Sequence, residues 1–217
     1  MRRFRTLCAL ASAASLSLTS IAEAQSCTTA VGNLVANCSF EANTIASSWL
    51  WVNSLTGWES NGNPNKFEIW RGLDSFAAAD GMQHLELDVH HANSNTTIWQ
   101  TLNTQQGREY TVTFSAAHRN GGGGDQFSVL GLLINDVPLF QTPQMRTPYT
   151  WNVFSYNFVA AGTQTKLGFQ SLGTQNTHGD HLDNISVVAS VPEPSTSALT
   201  GAGLLALGVV VRLRRRA

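Results

Sequence analysis

Six tryptophans, six histidines and 14 acidic residues are the side chains in this 217-residue chain most able to do chemistry. Their spacing decides which chemistry. His90-His91 and His178-Gly179-Asp180-His181 invite a transition-metal reading. Neighbours on a strand point to opposite faces, so His90 and His91 cannot easily share one ion, and no His-Glu-x-x-His helix motif is present. Exposed loop histidines are the expectation, with His118-Arg119 ending a strand at the surface. No Gly-x-Ser-x-Gly elbow occurs. Glycoside hydrolysis needs two carboxylates about 5–9 Å apart, and nothing in the spacing of Glu59, Glu68 and Glu86 singles out a pair. The chain is expected not to be an enzyme. Of the tryptophans, Trp49 and Trp51 share one strand face, while Trp58, Trp70, Trp99 and Trp151 are scattered. Four or five of the six belong in a core, since large aromatics dominate interiors. Trp51 and Trp58, near the loop at 61–65, are the candidates for a ligand face. There an indole can stack on a sugar ring while amide and charged side chains take its hydroxyls.

Charge narrows the partners. Seven of the 13 basic residues lie at the two ends, and between residues 25 and 190 six bases stand against twelve acids. A body with six more acids than bases repels phosphate backbones, which excludes nucleic acid as a partner. With 42% hydrophobic residues the chain carries too much apolar mass to be disordered. Its length suits one ordinary domain with appendages.

The ends read as addresses. Arg2, Arg3 and Arg5 precede an apolar stretch from Leu7 to Leu18, and Ala22-Glu23-Ala24 forms a small-x-small site before Gln25. Residues 1–24 are therefore expected to be a secretory signal cleaved after Ala24. Export leaves two cysteines, Cys27 and Cys38, eleven positions apart, and an oxidising compartment favours a bridge between them over two buried free thiols. At the other end, Pro192-Glu193-Pro194 leads into an apolar run from Ala198 to Val211 and then Arg212, Arg214, Arg215 and Arg216. As a helix that run measures about 21 Å, short for a ~30 Å hydrocarbon core, and the arginines hold its tip on the cytoplasmic side. Such a tail suits transient retention, with an ordinary membrane anchor as the alternative.

The tail, residues 191–217, resembles the PEP-CTERM sorting signal of Gram-negative bacteria. That resemblance implies recognition by an exosortase-type membrane protease, cleavage near the Pro-Glu-Pro, brief residence in the inner membrane through a helix at 198–211, and delivery to the cell surface or extracellular matrix.

The elements between the ends must be strands. Tyr110–Ala116 alternates apolar and polar residues, and Asn152–Val159 sets Phe154, Tyr156 and Phe158 on one face. Further strands are expected at Asn33–Asn37, Trp49–Val52, Phe67–Trp70, His84–Leu87, Ile98–Leu102, Phe127–Ile134, Lys166–Gln170 and Asn184–Val188, with turn signals between them. About ten short strands predict an all-β, antiparallel two-sheet sandwich or jelly roll over 25–190.

Short motifs in order strengthen this reading. Asn33-Leu34-Val35-Ala36-Asn37-Cys38-Ser39-Phe40-Glu41, Gly57-Trp58, Asp80-Gly81, and the closing His181-Leu182-Asp183-Asn184-Ile185-Ser186-Val187 resemble the galactose-binding-like and carbohydrate-binding-module sandwiches. Cys38 stands where the opening motif usually carries Gly. The resemblance implies a structural calcium held by Glu41, Asp183 and Asp80 or a carbonyl near it; the alternative is that Glu41 and Asp183 cap turns. It also implies a surface- or matrix-sorted, non-catalytic protein that binds or packs with extracellular polysaccharide. A purely structural or adhesive matrix protein and a hydrolase of matrix polysaccharide are the alternatives.

Overall fold

The computed structural model describes residues 25–62, 66–87, 96–119, 127–173 and 178–190. Both terminal addresses, with Ala22, Ala24, Pro192, Glu193, Pro194, the tail arginines and the helix expected at 198–211, lie outside the described residues, as do His90 and His91. Among the described residues no helix is long and apolar enough to cross a membrane.

Eleven strands form the body: β1 (Trp49–Val52), β2 (Glu59–Ser60), β3 (Phe67–Trp70), β4 (His84–Glu86), β5 (Thr97–Asn103), β6 (Glu109–His118), β7 (Leu130–Ile134), β8 (Val137–Gln141), β9 (Asn152–Val159), β10 (Gln164–Ser171) and β11 (Asp180–Ala189). They build two sheets with every strand pair antiparallel, one ordered β1-β3-β4-β11-β6-β9 and the other β2-β5-β10-β7-β8. The all-β two-sheet sandwich expected from alternation is the observed fold.

Alternation explains the core. On β6, Tyr110, Val112, Phe114 and Ala116 turn inward, and on the facing sheet Ile98, Leu102, Leu132, Leu167 and Phe169 meet them, all buried. Each large side chain so removed from water contributes about 1.5–3 kcal/mol against the entropy of ordering the chain. Phe114 and Phe169 meet edge to face across the sheets at 5.0 Å.

One expected strand does not form. Residues 33–37 run as turns because the Asn33 side chain replaces a ladder: its Oδ1 accepts the N–H of Val35 (3.1 Å) and Val187 (2.8 Å), and its Nδ2 donates to the Cys27 and Ile185 carbonyls. One main-chain bond ties this segment to β11, Leu34 N–H to Val187 O at 2.9 Å. This strap is closed by the Cys27–Cys38 disulfide. It docks where β11 bulges between Asp183 and Ser186, with Asn184 in the left-handed region (φ 52°) and its Oδ1 accepting the Cys27 N–H at 2.6 Å. The short strands β2 and β8 were not legible in the sequence. They are edge strands, and an edge needs no apolar alternation.

Candidate functional site

The outward face of the six-stranded sheet should be wet, yet its centre is buried. Register places Trp49 opposite Trp70 and Trp51 opposite Glu68; Glu68 in turn faces Glu86, Trp70 faces His84, and Glu86 faces His181. These side chains share one face, and Glu68, Trp70, His84, Glu86 and His181 are all buried. Two segments cover them. Phe76, just beyond a short 3-10 turn at Leu73–Ser75, stacks on Trp151 (4.9 Å, 22°) and lies within 5.1 Å of both imidazoles. The two segments are tied to each other by the Tyr149 hydroxyl donating to Asp74 (2.6 Å) and the Trp151 indole donating to the Ala77 carbonyl (2.9 Å).

Inside this cover, two glutamates sit directly opposite on neighbouring strands, an arrangement that repels. Arg119, just past β6, offsets the repulsion, its Nη1 lying 3.4 Å from Glu86 Oε1 and 3.9 Å from Glu68 Oε1 with the guanidinium 4.6 Å above the Trp70 ring. Glu86 also accepts the Gly179 N–H. Glu68 accepts two indole N–H groups, from Trp70 (2.8 Å) and from Trp51 (2.7 Å). The buried network therefore fixes the orientation of an indole that is itself 41% exposed. Trp49, 38% exposed, meets Trp51 edge to face at 5.1 Å and 72°. Two indole faces set at a steep angle thus stand on the rim of the sheet.

Among the described residues the imidazoles of His84 and His181 find no hydrogen-bond partner at any ring nitrogen. Their edges meet aromatic rings instead, Trp70 at 4.6 Å from His181 and Trp151 at 5.3 Å from His84, with the imidazoles 4.9 Å apart and nearly perpendicular. Burial lowers His84 from 6.5 to about 3. Burial first, then His84, Arg119 and His118, hold His181 well below its ordinary value. Both rings are neutral at physiological pH, packed as polar aromatics.

Several expectations change. His181, expected in an exposed loop, is a fully buried strand residue, and His118 is buried with Nδ1 2.9 Å from Ser128 Oγ. Trp58 is not on a ligand face: it is 5% exposed, packs between Phe40 and Phe169, and donates its indole N–H to the Asn37 carbonyl at 3.2 Å. Only Trp58 and Trp70 are fully buried tryptophans; Trp99 and Trp151 are half-buried, because they lie on outward sheet and loop faces rather than between the sheets. Glu59 sits apart on an edge of the other sheet.

The calcium set fits no better. Glu41 Oε1 accepts the N–H groups of Met82 and Gln83, each at 2.6 Å. Asp183 accepts those of Ala79 (2.8 Å), Asp80 (2.9 Å) and Asn184 (2.7 Å), and Asp80 accepts the Ser26 hydroxyl (2.9 Å). Gly81 makes the first contact possible: with φ +77°, an added Cβ would come 2.5 Å from Glu41 Oε1. Burial pushes the Asp183 carboxyl well above its ordinary value, with the backbone N–H groups pulling the other way. These carboxylates cap the 79–83 loop, and among the described residues no three His, Cys, Asp or Glu side chains form a group that could hold a metal ion. Glu41 and Asp183 are occupied as turn caps and the three carboxylates form no joint group, so Glu41, Asp80 and Asp183 do not fit as calcium ligands.

Sequence reasoning passed over Glu68, Trp70, His84, Glu86 and Arg119 as a group. Alternation did put His84 and Glu86 on the face opposite Leu85 and Leu87, but the loops that bury them leave no mark in that pattern.

The fold and this roofed face together define an antiparallel two-sheet β-sandwich of the jelly-roll kind. The chain is a member of the family described as "Protein of unknown function (DUF642)", which matches residues 33–188. A PEP-CTERM protein-sorting motif matches residues 190–216 and marks the chain as exported and surface-directed. Among solved structures it is similar to TmCBM61 in complex with beta-1,4-galactotriose, at 14% identity and TM-score 0.51 over 73% of this chain and 99% of that one. It is also similar to a cyclase from Fischerella sp. TAU in complex with 4-(1H-indol-3-yl)butan-2-one, at 18% identity and TM-score 0.54 over 76% of this chain and 100% of that one. At these identities the likeness is one of fold. No curated protein matches the chain.

Proposed function

We propose that the protein is a non-catalytic binder of extracellular polysaccharide, sorted to the cell surface or matrix after exosortase-type cleavage of a tail held briefly in the inner membrane. The observation that carries the binding reading is the exposed Trp49–Trp51 pair, with the Trp51 indole fixed by its hydrogen bond to buried Glu68. A rigid aromatic surface binds a sugar ring with little loss of side-chain entropy. The carbohydrate ligand in one of the similar structures agrees with this reading. Glu68 and Glu86, the one opposed carboxylate pair on this face, spend their oxygens on Arg119, two indoles and a backbone N–H, which supports a positioning role over hydrolysis.

The test is titration of the intact protein, and of Trp49→Ala and Trp51→Ala, with the producing cell's own exopolysaccharide and a glycan panel. Each substitution is expected to weaken binding at least tenfold; Trp49→Ala should leave the melting temperature unchanged because its indole stands on the rim, whereas Trp51→Ala should lower it somewhat by taking a donor from buried Glu68. Undiminished binding by the double variant overturns the platform. Matrix retention without glycan binding favours a purely adhesive role through exposed edge residues such as Leu50, Val137 and Val159.

A further inference from the structure

The same sheet face holds a second concavity on its far half, away from the tryptophans. A groove of about 390 Å³ runs between the N-terminal strap and strands β6, β9 and β11. Its volume falls within the ~300–1,000 Å³ of small-molecule clefts. Thr113, Ser115 and Ser186 line it with hydroxyls, Val153 and Val188 with methyl groups, and Ala30 and Val31 of the strap close the opposite side. Ser115 is 2% exposed and Ser186 7%; neither hydroxyl bonds to another described residue, and neither is sealed from water, so both open onto the groove. Asn184, 6% exposed, uses its Oδ1 on the Cys27 N–H and leaves its Nδ2 for the groove. Polar groups that open onto a concavity are hydrated until a ligand replaces that water. Here those groups are neutral, they share one concavity, and they alternate with C–H surface.

We infer that this groove is a second glycan subsite, and that its ligand is a neutral saccharide; the inference rests on the polysaccharide-binding reading and adds a place and a chemical class to it. A saccharide presents what the groove lacks: hydroxyls that accept from Asn184 Nδ2 and exchange bonds with Ser115 and Ser186, and axial C–H groups that pack on Val153 and Val188. Polyuronates do not match. Among the described residues no basic side chain lines the groove, and the body carries six more acids than bases.

Titration calorimetry on the intact protein tests both sites, with neutral hexasaccharides (xylo-, cello- and β-1,4-galacto-) and an oligogalacturonate as probes. The Trp49→Ala/Trp51→Ala variant is expected to keep residual binding of a neutral oligosaccharide. In that background, Thr113→Val/Ser115→Ala/Ser186→Ala is expected to weaken it by about three- to tenfold per hydroxyl lost. Val153→Trp, at a position 46% exposed on the rim, should narrow the groove and lower affinity without touching the core. Unchanged affinity in both groove variants, with binding abolished by the tryptophan substitutions, overturns the subsite and leaves the platform standing. Loss in the groove variants with none in the tryptophan variants does the reverse. Oligogalacturonate binding tighter than every neutral chain overturns the assigned ligand class. A native chain that binds no probe overturns the subsite outright.

Discussion

His84 and His181 are the least comfortable side chains in the molecule, because burial denies them both a proton and a hydrogen-bond partner. Their folded pKa values lie below the ordinary 6.5, His84 at about 3. Above pH 6.5 neither folded nor unfolded chain protonates them, and their cost is absent. As pH falls through 6.5 the unfolded chain takes up protons the fold refuses, so stability is lost progressively down to the folded values. For His84 the cost should reach roughly 2–3 kcal/mol between pH 6.5 and 4.5, at about 1.4 kcal/mol per pH unit, and His181 acts in the same direction. His84→Phe keeps an aromatic ring against Phe76 and Trp151 and should flatten this slope relative to the native protein. Thermal melts across that range check it, and parallel pH profiles for the two proteins would refute it. The groups packed around these rings that also carry charge are Arg119, Glu68 and Glu86, and all three remain in the variant. Such a site was half legible. The His-Leu-Glu-Leu pattern at 84–87 gives each side chain's face, but depth on that face depends on Phe76, Tyr149 and Trp151 arriving from remote loops. Trp58 departs from its expected place for the same reason: a position near the loop at 61–65 reads as surface, and nothing local shows that the ring inserts between Phe40 and Phe169.

Among the elements, the strap at residues 26–40 has no ladder of its own and is held by side chains. Its disulfide and the two asparagines, Asn33 and Asn184, attach it to the bulge of β11. Strands that bury one face announce themselves by period two, so most strands that alternation located are present, while a segment held by Asn33 looks like a strand and is not one. Because the closed loop spans only eleven positions, Cys27→Ala/Cys38→Ala should lower stability by roughly 2–3 kcal/mol, measured by urea denaturation. The loss should be accompanied by weaker saccharide binding at the groove, since Ala30 and Val31 form its wall. A variant with native stability would show that the asparagines alone fix the strap.

At the scale of the whole molecule, an acidic body is followed by a basic, apolar tail that carries the sorting motif, and the proposed route requires the two to be separated. The sorting motif at 190–216 directly follows β11, which ends at Ala189, so cleavage near Pro192-Glu193-Pro194 would release the sandwich with its last strand intact. The sheet order makes this consequential, because β11 lies between β4 and β6 and carries His181, Asp183 and Asn184. A cut even a few residues upstream would remove the edge of a central strand; one at the Pro-Glu-Pro removes none of it. Replacing Pro192, Glu193 and Pro194 by Ala should therefore leave a folded protein that still carries Arg212–Arg216 and sediments with the inner membrane. The native chain should instead be recovered from the surface or matrix at a lower mass. Mass spectrometry of the two fractions decides it, and an uncut native chain at the cell surface would mean that the arginine-tipped tail serves as a permanent anchor.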